Sequence, residues 1–191
     1  MAVRPLRGLA LCAGVGGLEL GLRLALGDRL RTVVYVEREA YAAATLVARM
    51  DDAALDRAPV WDDLESFDGR PWRGRVDLVA AGFPCQPAST AGLRLGTDDA
   101  RWLWPHVARV IGEIRPRLVF LENVPGLLTV NGGRAFGEVL RDLALLGFAA
   151  EWDRFPAASG GAPHERARLF LMADADVGRR ERVGSPAGRA D

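Results

Sequence analysis

Cysteine is scarce in this 191-residue sequence, and apolar runs long enough to cross a membrane are absent. The two cysteines, Cys12 and Cys85, form no CxxC pair and no close cluster of metal ligands. This argues against a disulfide scaffold, a zinc ribbon or any other metal site. No apolar stretch approaches the roughly 18–20 residues that a membrane-spanning helix needs. The apolar start of the chain leads directly into glycines, which is not the pattern of a signal peptide. We therefore expect no membrane partner and a cytoplasmic location.

Net charge is also absent. Twenty-five basic residues, all of them arginine, balance twenty-five acidic ones. Without an overall positive field, any contact with nucleic acid must use a local basic surface. Hydrophobic residues make up 49% of the chain and charged residues 26%, a balance that is typical of a globular domain and unlike a disordered or collagen-like chain.

What the sequence does contain is an alternation of short apolar runs with amphipathic stretches, which predicts an α/β fold. The predicted helices cover Leu18–Leu26, Ala40–Arg49, Leu103–Ile114 and Arg134–Leu146. The predicted strands cover Leu9–Cys12, Thr32–Val36, Val76–Ala80, Leu118–Leu121, Ala150–Phe155 and Leu169–Met172. Strands this apolar, alternating with helices, favour a Rossmann-like, doubly wound, mostly parallel sheet that is covered on both faces. We expect an ordered domain over residues 1–173, with 174–191 as a flexible tail or the start of a further region.

A glycine turn follows the first predicted strand. Gly14, Gly16 and Gly17 would let the backbone bend tightly and approach a ligand at the positive end of the next helix. Glu37 ends the second strand about twenty residues on, where an acidic side chain can bind ribose hydroxyls. The pattern fits NAD enzymes, other nucleoside-binding enzymes and a tight turn without a ligand. Asp63, before Leu64, could accept from an adenine amine or lie in a solvated turn.

Three later segments carry candidates for chemistry. Cys85 lies between two prolines at the end of a predicted strand, in the long segment Gly82–Ala100, and is either a nucleophile or a tolerated loop cysteine. Glu122 ends another buried strand, where a carboxyl group needs a partner or a function. Arg166 and Arg168 alternate before the last strand and could support a thiolate, hold a phosphate or carboxylate, or form a solvated turn.

Taken together and in this order, these motifs resemble those of the C5-cytosine DNA methyltransferases, over about residues 8–173. Pro84-Cys85-Gln86 is similar to the family's nucleophile motif, Glu122-Asn123-Val124 to its acid motif, and Arg166-Ala167-Arg168 to its paired arginines. The resemblance implies the fold of the S-adenosylmethionine-dependent methyltransferases, S-adenosylmethionine as cofactor and DNA as partner. It also implies a bacterial enzyme, or a phage-encoded one acting in its host, of the restriction-modification kind.

The resemblance assigns roles residue by residue. The implied catalytic residues are Cys85, Glu122, Arg166 and Arg168. The implied cofactor-binding residues are Leu11, Cys12, Gly14, Gly16, Gly17, Glu37, Asp63, Leu64 and Leu103. The implied substrate-binding residues are Phe83, Pro84, Gln86, Ser89 and Asn123.

The chemistry that this resemblance implies begins with the Cys85 thiolate adding to C6 of cytosine. Atom C5 then takes the methyl group, while Glu122 contacts N3 and the exocyclic amine. Loss of the C5 proton and elimination of the cysteine restore the aromatic ring. Because the reacting atoms are shielded in a duplex, the base must be flipped out, and the segment Gly82–Ala100 is a candidate for closing over it.

The family places a target-recognition region and a final motif after the paired arginines. We therefore expect a separate chain or a C-terminal region to supply target recognition. Two alternatives stay open: a cytosine-C5 methyltransferase of tRNA or another RNA, and a non-catalytic fragment or partner-dependent half of a DNA methyltransferase. A nicotinamide dehydrogenase would explain the glycine turn but none of the later motifs.

Overall fold

A seven-stranded mixed sheet is the centre of the fold in the computed structural model, which describes residues 4–84 and 102–176. The strand order is β3-β2-β1-β4-β5-β7-β6. Strands β1 to β5 pair in parallel, whereas β7 runs antiparallel to both β5 and β6. The strands are β1 (Leu6–Leu11), β2 (Leu30–Val36), β3 (Val60–Trp61), β4 (Leu78–Ala81), β5 (Leu118–Asn123), β6 (Ala149–Phe155) and β7 (Arg168–Asp174).

The predicted mostly parallel α/β sheet is confirmed, and it differs from the prediction by one extra short strand and one antiparallel strand. Strand β3 was not predicted because two residues are too short to show a period. Strand β7 runs opposite to the other strands, because no α-helix separates it from β6. A parallel pair needs a long crossover connection, so a chain that returns through a loop pairs antiparallel.

Four α-helices in the described ranges flank the sheet: α1 (Gly17–Leu26), α2 (Ala40–Asp51), α3 (Trp104–Ile114) and α4 (Arg134–Leu146). Their bounds agree with the predicted helices to within two residues. The Glu39 side chain caps α2 by accepting hydrogen bonds from the backbone N–H groups of Tyr41 and Ala42. Helix α4 ends where Gly147 takes a φ of 100°. None of these helices is long and apolar enough to span a membrane.

Helices lie on both faces of the sheet, as the sequence predicts, although the described helices cover one face less completely. Alternate residues of a strand point to opposite faces, so Leu9 and Leu11 of β1 pack with α3 and α4, while Ala10 packs with α2. On the second face, no described helix covers Phe120 of β5 and Phe170 of β7, which line a cavity beside α1.

Candidate active site

Two adjoining cavities open where β1, β4 and β5 end. The larger has a volume of about 840 Å³ and the smaller about 310 Å³. The linings of both include Cys12, Gly14, Gly82 and Pro84, so the cavities are neighbours across the ends of β1 and β4. The connection from β1 runs to β2 on one side, while β4 lies on the other. Such a reversal of strand order at the carboxyl ends is where open α/β sheets bind ligands.

The glycine turn and Glu37 are brought together as their spacing predicts. The Gly14 N–H donates to Glu37 Oε2 at 2.7 Å, and the Glu39 N–H donates to Glu37 Oε1 at 2.8 Å. Gly14 and Gly16 have φ values of +56° and +79°, in the left-handed region that favours glycine. The Glu37 carboxylate is thereby held at the mouth of the smaller cavity, beside the start of α1.

The smaller cavity combines carboxylates with apolar side chains. Asp63, Leu64 and Leu103 line it together with Glu37 and Gly14, as the sequence predicts. Asp63 Oδ1 accepts from the Glu65 N–H at 3.0 Å, which fixes the start of this loop. The cavity therefore offers acceptors for hydroxyl or amino groups beside an apolar surface, a combination that suits an adenosine.

Two of the predicted cofactor-binding residues lie elsewhere. Leu11 is fully buried in the core on the α3 and α4 side and lines neither cavity. Gly16 is also buried away from both, and a Cβ there would clash with Leu55 Cδ1 and lie 2.9 Å from Leu46 Cδ2. The glycine at position 16 is required by packing against Leu46 of α2 and against Leu55, which follows α2, while Gly17 lines the larger cavity.

The Cys12 side chain lines both cavities but is not a reactive thiol. Burial raises the pKa of Cys12 to about 12, and the negative charge of Glu37 adds to the shift. The thiol is therefore protonated at neutral pH, whereas a nucleophilic cysteine acts as the thiolate.

The end of β4 is fixed by buried aromatic and amide groups. Phe83 packs against Trp102 and Trp104, with ring centroids 5.9 and 5.6 Å away. Asn123 Nδ2 donates to the Phe83 carbonyl at 2.9 Å, and Asn123 Oδ1 accepts from the Val124 N–H at 2.8 Å. Pro84 follows and lines both cavities. The predicted residues Cys85, Gln86 and Ser89 lie outside the described residues.

Glu122 and Arg168 form an ion pair in the larger cavity. Arg168 Nε lies 2.7 Å from Glu122 Oε1, and both side chains are partly buried. The Glu122 carboxylate lies beside Gly82, where a Cβ would be in ordinary van der Waals contact with Glu122 Oε2 at 3.5 Å. Arg166 lines the same cavity. The predicted catalytic residues Glu122, Arg166 and Arg168 thus line one cavity. They lie close together because the amino end of antiparallel β7 is beside the carboxyl end of β5.

Sequence reasoning missed Glu19, which also contributes to the wall of the larger cavity. Its side chain is 4% exposed, and neither carboxylate oxygen has a hydrogen-bond partner in the described part of the chain. Burial raises the pKa of Glu19 to about 7. The signal in the sequence is a glutamate between Leu18 and Leu20, directly after the glycine turn, in a helix rich in leucine. Arg38 and Glu65 of the smaller cavity were missed as well.

The doubly wound sheet and the paired cavities at the carboxyl ends of its strands define a Rossmann-like α/β domain with a candidate ligand site. The chain belongs to the C-5 cytosine-specific DNA methylase family, whose model matches residues 6–177. The family resemblance that the motifs indicate is therefore confirmed. Enzymes of this family use S-adenosylmethionine as methyl donor.

Curated relatives are similar over most of this chain. The Type II methyltransferase M.PspPI of Psychrobacter sp. (strain TA137) is 39% identical over 177 residues, which are 90% of this chain and 41% of that protein. M.NgoMIV of Neisseria gonorrhoeae is 36% identical over 86% of this chain and 50% of its own length. The chain thus spans about half the length of these relatives. In the solved structure of Entamoeba histolytica methyltransferase EhMeth, the fold is alike with a TM-score of 0.73, at 17% identity over 91% of this chain and 54% of that one.

The residues of the two cavities fit the family's cofactor. The carboxylates and apolar groups of the smaller cavity suit the adenosine, and the start of α1 lies between that cavity and the larger one, where the rest of the cofactor would extend. The larger cavity also holds Glu122, Arg166 and Arg168, so the reacting base would lie beside the cofactor.

Proposed function

We propose that this chain is the catalytic domain of a DNA (cytosine-5-)-methyltransferase that modifies a flipped cytosine through a covalent adduct with Cys85. The observation that carries this proposal is the Glu122–Arg168 ion pair in the cavity that also contains the glycine turn and the end of β4. A carboxylate for the base, arginines beside it and a site for the methyl donor then share one space.

The nucleophile in this proposal is Cys85, the residue that directly follows Pro84. The chain has one other cysteine, Cys12, and the raised pKa of that thiol makes it unsuited to the role. The Cys85 thiolate would form a bond to C6 of cytosine and push electron density towards C5. After methylation at C5, loss of the C5 proton and breakage of the sulfur–C6 bond would release 5-methylcytosine and regenerate the thiolate. When bound, S-adenosylmethionine supplies the electrophilic methyl group.

Glu122 would contact N3 and the exocyclic amine of the flipped base. Its carboxylate is already held in place by Arg168, so little reorganisation is needed as charge develops on the ring. Arg166 and Arg168 would orient the base and the Cys85 segment. Asn123 has both ends of its amide engaged with backbone groups, so we assign it a positioning role at the end of β4, not a direct contact with the base.

A further polypeptide region is part of this proposal. Leu18, Leu22 and Ala25 of α1 line the larger cavity together with Phe120 and Phe170, and this apolar surface lies where no described helix covers β5 and β7. Proteins rarely leave large apolar patches without a partner. We propose that a C-terminal region or a separate chain covers this surface and supplies target recognition, which the roughly twofold length of the relatives supports. The relatives are Type II methyltransferases of bacteria. We therefore propose that the activity belongs to a restriction-modification system in the bacterial cytoplasm.

The test is a covalent trapping assay with the purified chain, S-adenosylmethionine and duplex DNA that carries 5-fluorocytosine. Fluorine at C5 cannot leave as the proton does, so a working enzyme stays attached to its substrate. We expect a shifted band on a denaturing gel that is absent with Cys85→Ser and with unsubstituted DNA. Trapping on RNA alone would replace DNA by RNA as the substrate. Binding of cofactor without trapping on either would favour a chain that needs the proposed further region for turnover.

A further inference from the structure

Glu19 is the unexplained charge of the larger cavity. It is the third residue of α1, directly after the glycine turn, and the only fully buried residue of that helix. Its oxygens have no hydrogen-bond partner in the described ranges. A buried carboxylate without a partner is strongly destabilising as an anion. Such a group points to a partner outside the described residues.

The other charged side chains that line the larger cavity indicate what kind of ligand group could pair with Glu19. Glu122 is paired with Arg168, and the remaining charged side chain of the wall is the cation Arg166. Both arginines belong to the segment that leads into β7, whereas Glu19 is on α1. A ligand group that neutralises Glu19 must therefore be a cation, and it must fit beside the first turn of a helix.

The first turn of α1 offers the complementary half of such a site. The first hydrogen bond within the helix runs from the Leu20 N–H to the Gly16 carbonyl at 3.0 Å. The backbone N–H groups before Leu20 have no acceptor within the helix, because the helix has no carbonyl four residues earlier. The helix dipole also favours an anion beside these N–H groups. An α-amino acid carries an ammonium and a carboxylate on one carbon atom, so it can satisfy Glu19 and the helix start together.

We propose that Glu19 is a cofactor-binding residue that holds the ammonium group at the methionine end of the methyl donor. The proposal rests on the proposed function, because it takes the donor to be S-adenosylmethionine. Glutamate has three rotatable side-chain torsions, so the carboxylate can turn towards the cavity when the ammonium enters. Burial raises the pKa of Glu19 to about 7, which agrees with a carboxylate whose charge is balanced by no cation of the described residues.

The test is calorimetric binding of three ligands to the full chain and to Glu19→Gln. The ligands are S-adenosylhomocysteine, its analogue with hydrogen in place of the amine, and 5′-methylthioadenosine, which lacks the amino acid. We expect the unmodified chain to prefer S-adenosylhomocysteine over the desamino analogue by about tenfold or more, as for a hydrogen-bonded charge. Glu19→Gln should lose that preference and bind the other two ligands as before. Glu151→Gln, which changes an exposed glutamate of β6, should keep it.

The outcomes separate the two proposals. If none of the three ligands binds the unmodified chain, the cofactor site itself is wrong, and the assignment of Glu19 fails with it. If they bind but the preference for the amine is absent, or survives in Glu19→Gln, the proposed function stands and the role of Glu19 is overturned. An equal loss for all three ligands would make Glu19 a structural residue. The glutamine variant has nearly the same shape and removes an unpaired charge, and its thermal unfolding checks that it is folded.

Discussion

At the scale of single residues, Glu37 shows how one carboxylate serves both structure and site. Its two oxygens accept from the N–H groups of Gly14 and Glu39, so it links the glycine turn to the end of β2. Each carboxylate oxygen can accept more than one hydrogen bond. The group therefore keeps acceptor capacity for the ribose hydroxyls while it fixes the loop around them.

Glu37→Ala should weaken binding of S-adenosylhomocysteine by about tenfold to a hundredfold, since hydrogen bonds to charged groups contribute about 1.5–3 kcal/mol. Calorimetry measures this directly. Glu39→Ala is the matched control because Glu39 lies two residues on but caps α2. It should lower stability by about 1 kcal/mol and leave the affinity unchanged. Equal affinity in the Glu37 variant and the unmodified chain would remove the ribose assignment.

At the scale of elements, the entry into α1 depends on how closely it packs against α2 and the segment that follows α2. Gly16 and Gly14 both have positive φ values, but their surroundings differ. A Cβ at Gly14 would meet nothing within 4 Å, whereas a Cβ at Gly16 would meet Leu55 and Leu46. Both leucines belong to the core on the α2 side of the sheet.

Gly16→Ala should therefore reduce the free energy of unfolding by about 3 kcal/mol, from overpacking together with left-handed backbone strain. Gly14→Ala should lose only the backbone contribution, about 1–2 kcal/mol. Urea unfolding of the two variants compares these values. A loss in Gly16→Ala no larger than that in Gly14→Ala would show that the leucines repack at little cost.

At the scale of the whole molecule, the sheet separates a stabilising end from a functional end. Asp77, just before β4, accepts from Arg4 Nη2 at 2.8 Å and from the Arg7 N–H at 2.9 Å, and its carbonyl accepts from the Leu118 N–H at 3.0 Å. It thus joins the amino ends of β1, β4 and β5, opposite the cavities. The Arg4 guanidinium, together with Arg7, holds the pKa of Asp77 well below its usual value, although partial burial opposes this.

Because the pKa of Asp77 is lowered in the folded state, its stabilising contribution is present above about pH 4 and is lost as the pH falls further. Asp77→Asn should therefore reduce stability at pH 7 by about 1 kcal/mol, with a smaller difference near pH 2, and should leave cofactor affinity unchanged. Urea unfolding at both pH values tests this. Asp51→Asn, in the exposed Arg57–Asp51 pair, is the control and should change stability little. A loss of cofactor affinity in Asp77→Asn would contradict the separation of the two ends.

Much of the fold could be predicted because its signals are local. The apolar stripe of Val107, Val110, Ile111 and Ile114 predicts α3, and all four are buried. The contact between Gly14 and Glu37 follows from their positions at the ends of two neighbouring parallel strands. The roles given to Cys85, Gln86 and Ser89 stay predictions, because these residues lie outside the described ranges.

The sequence by itself determined the alternation of helices and strands and the set of chemical groups, since both depend on residue type and short spacing. The tertiary structure decided what those groups meet. Antiparallel β7 places Arg168 against Glu122, 46 positions apart in the chain. Packing of α1 buries Glu19, whereas Leu11 is buried in the core on the α3 and α4 side and lines neither cavity. Strand direction and burial depend on contacts between distant segments, which no local period in a sequence records.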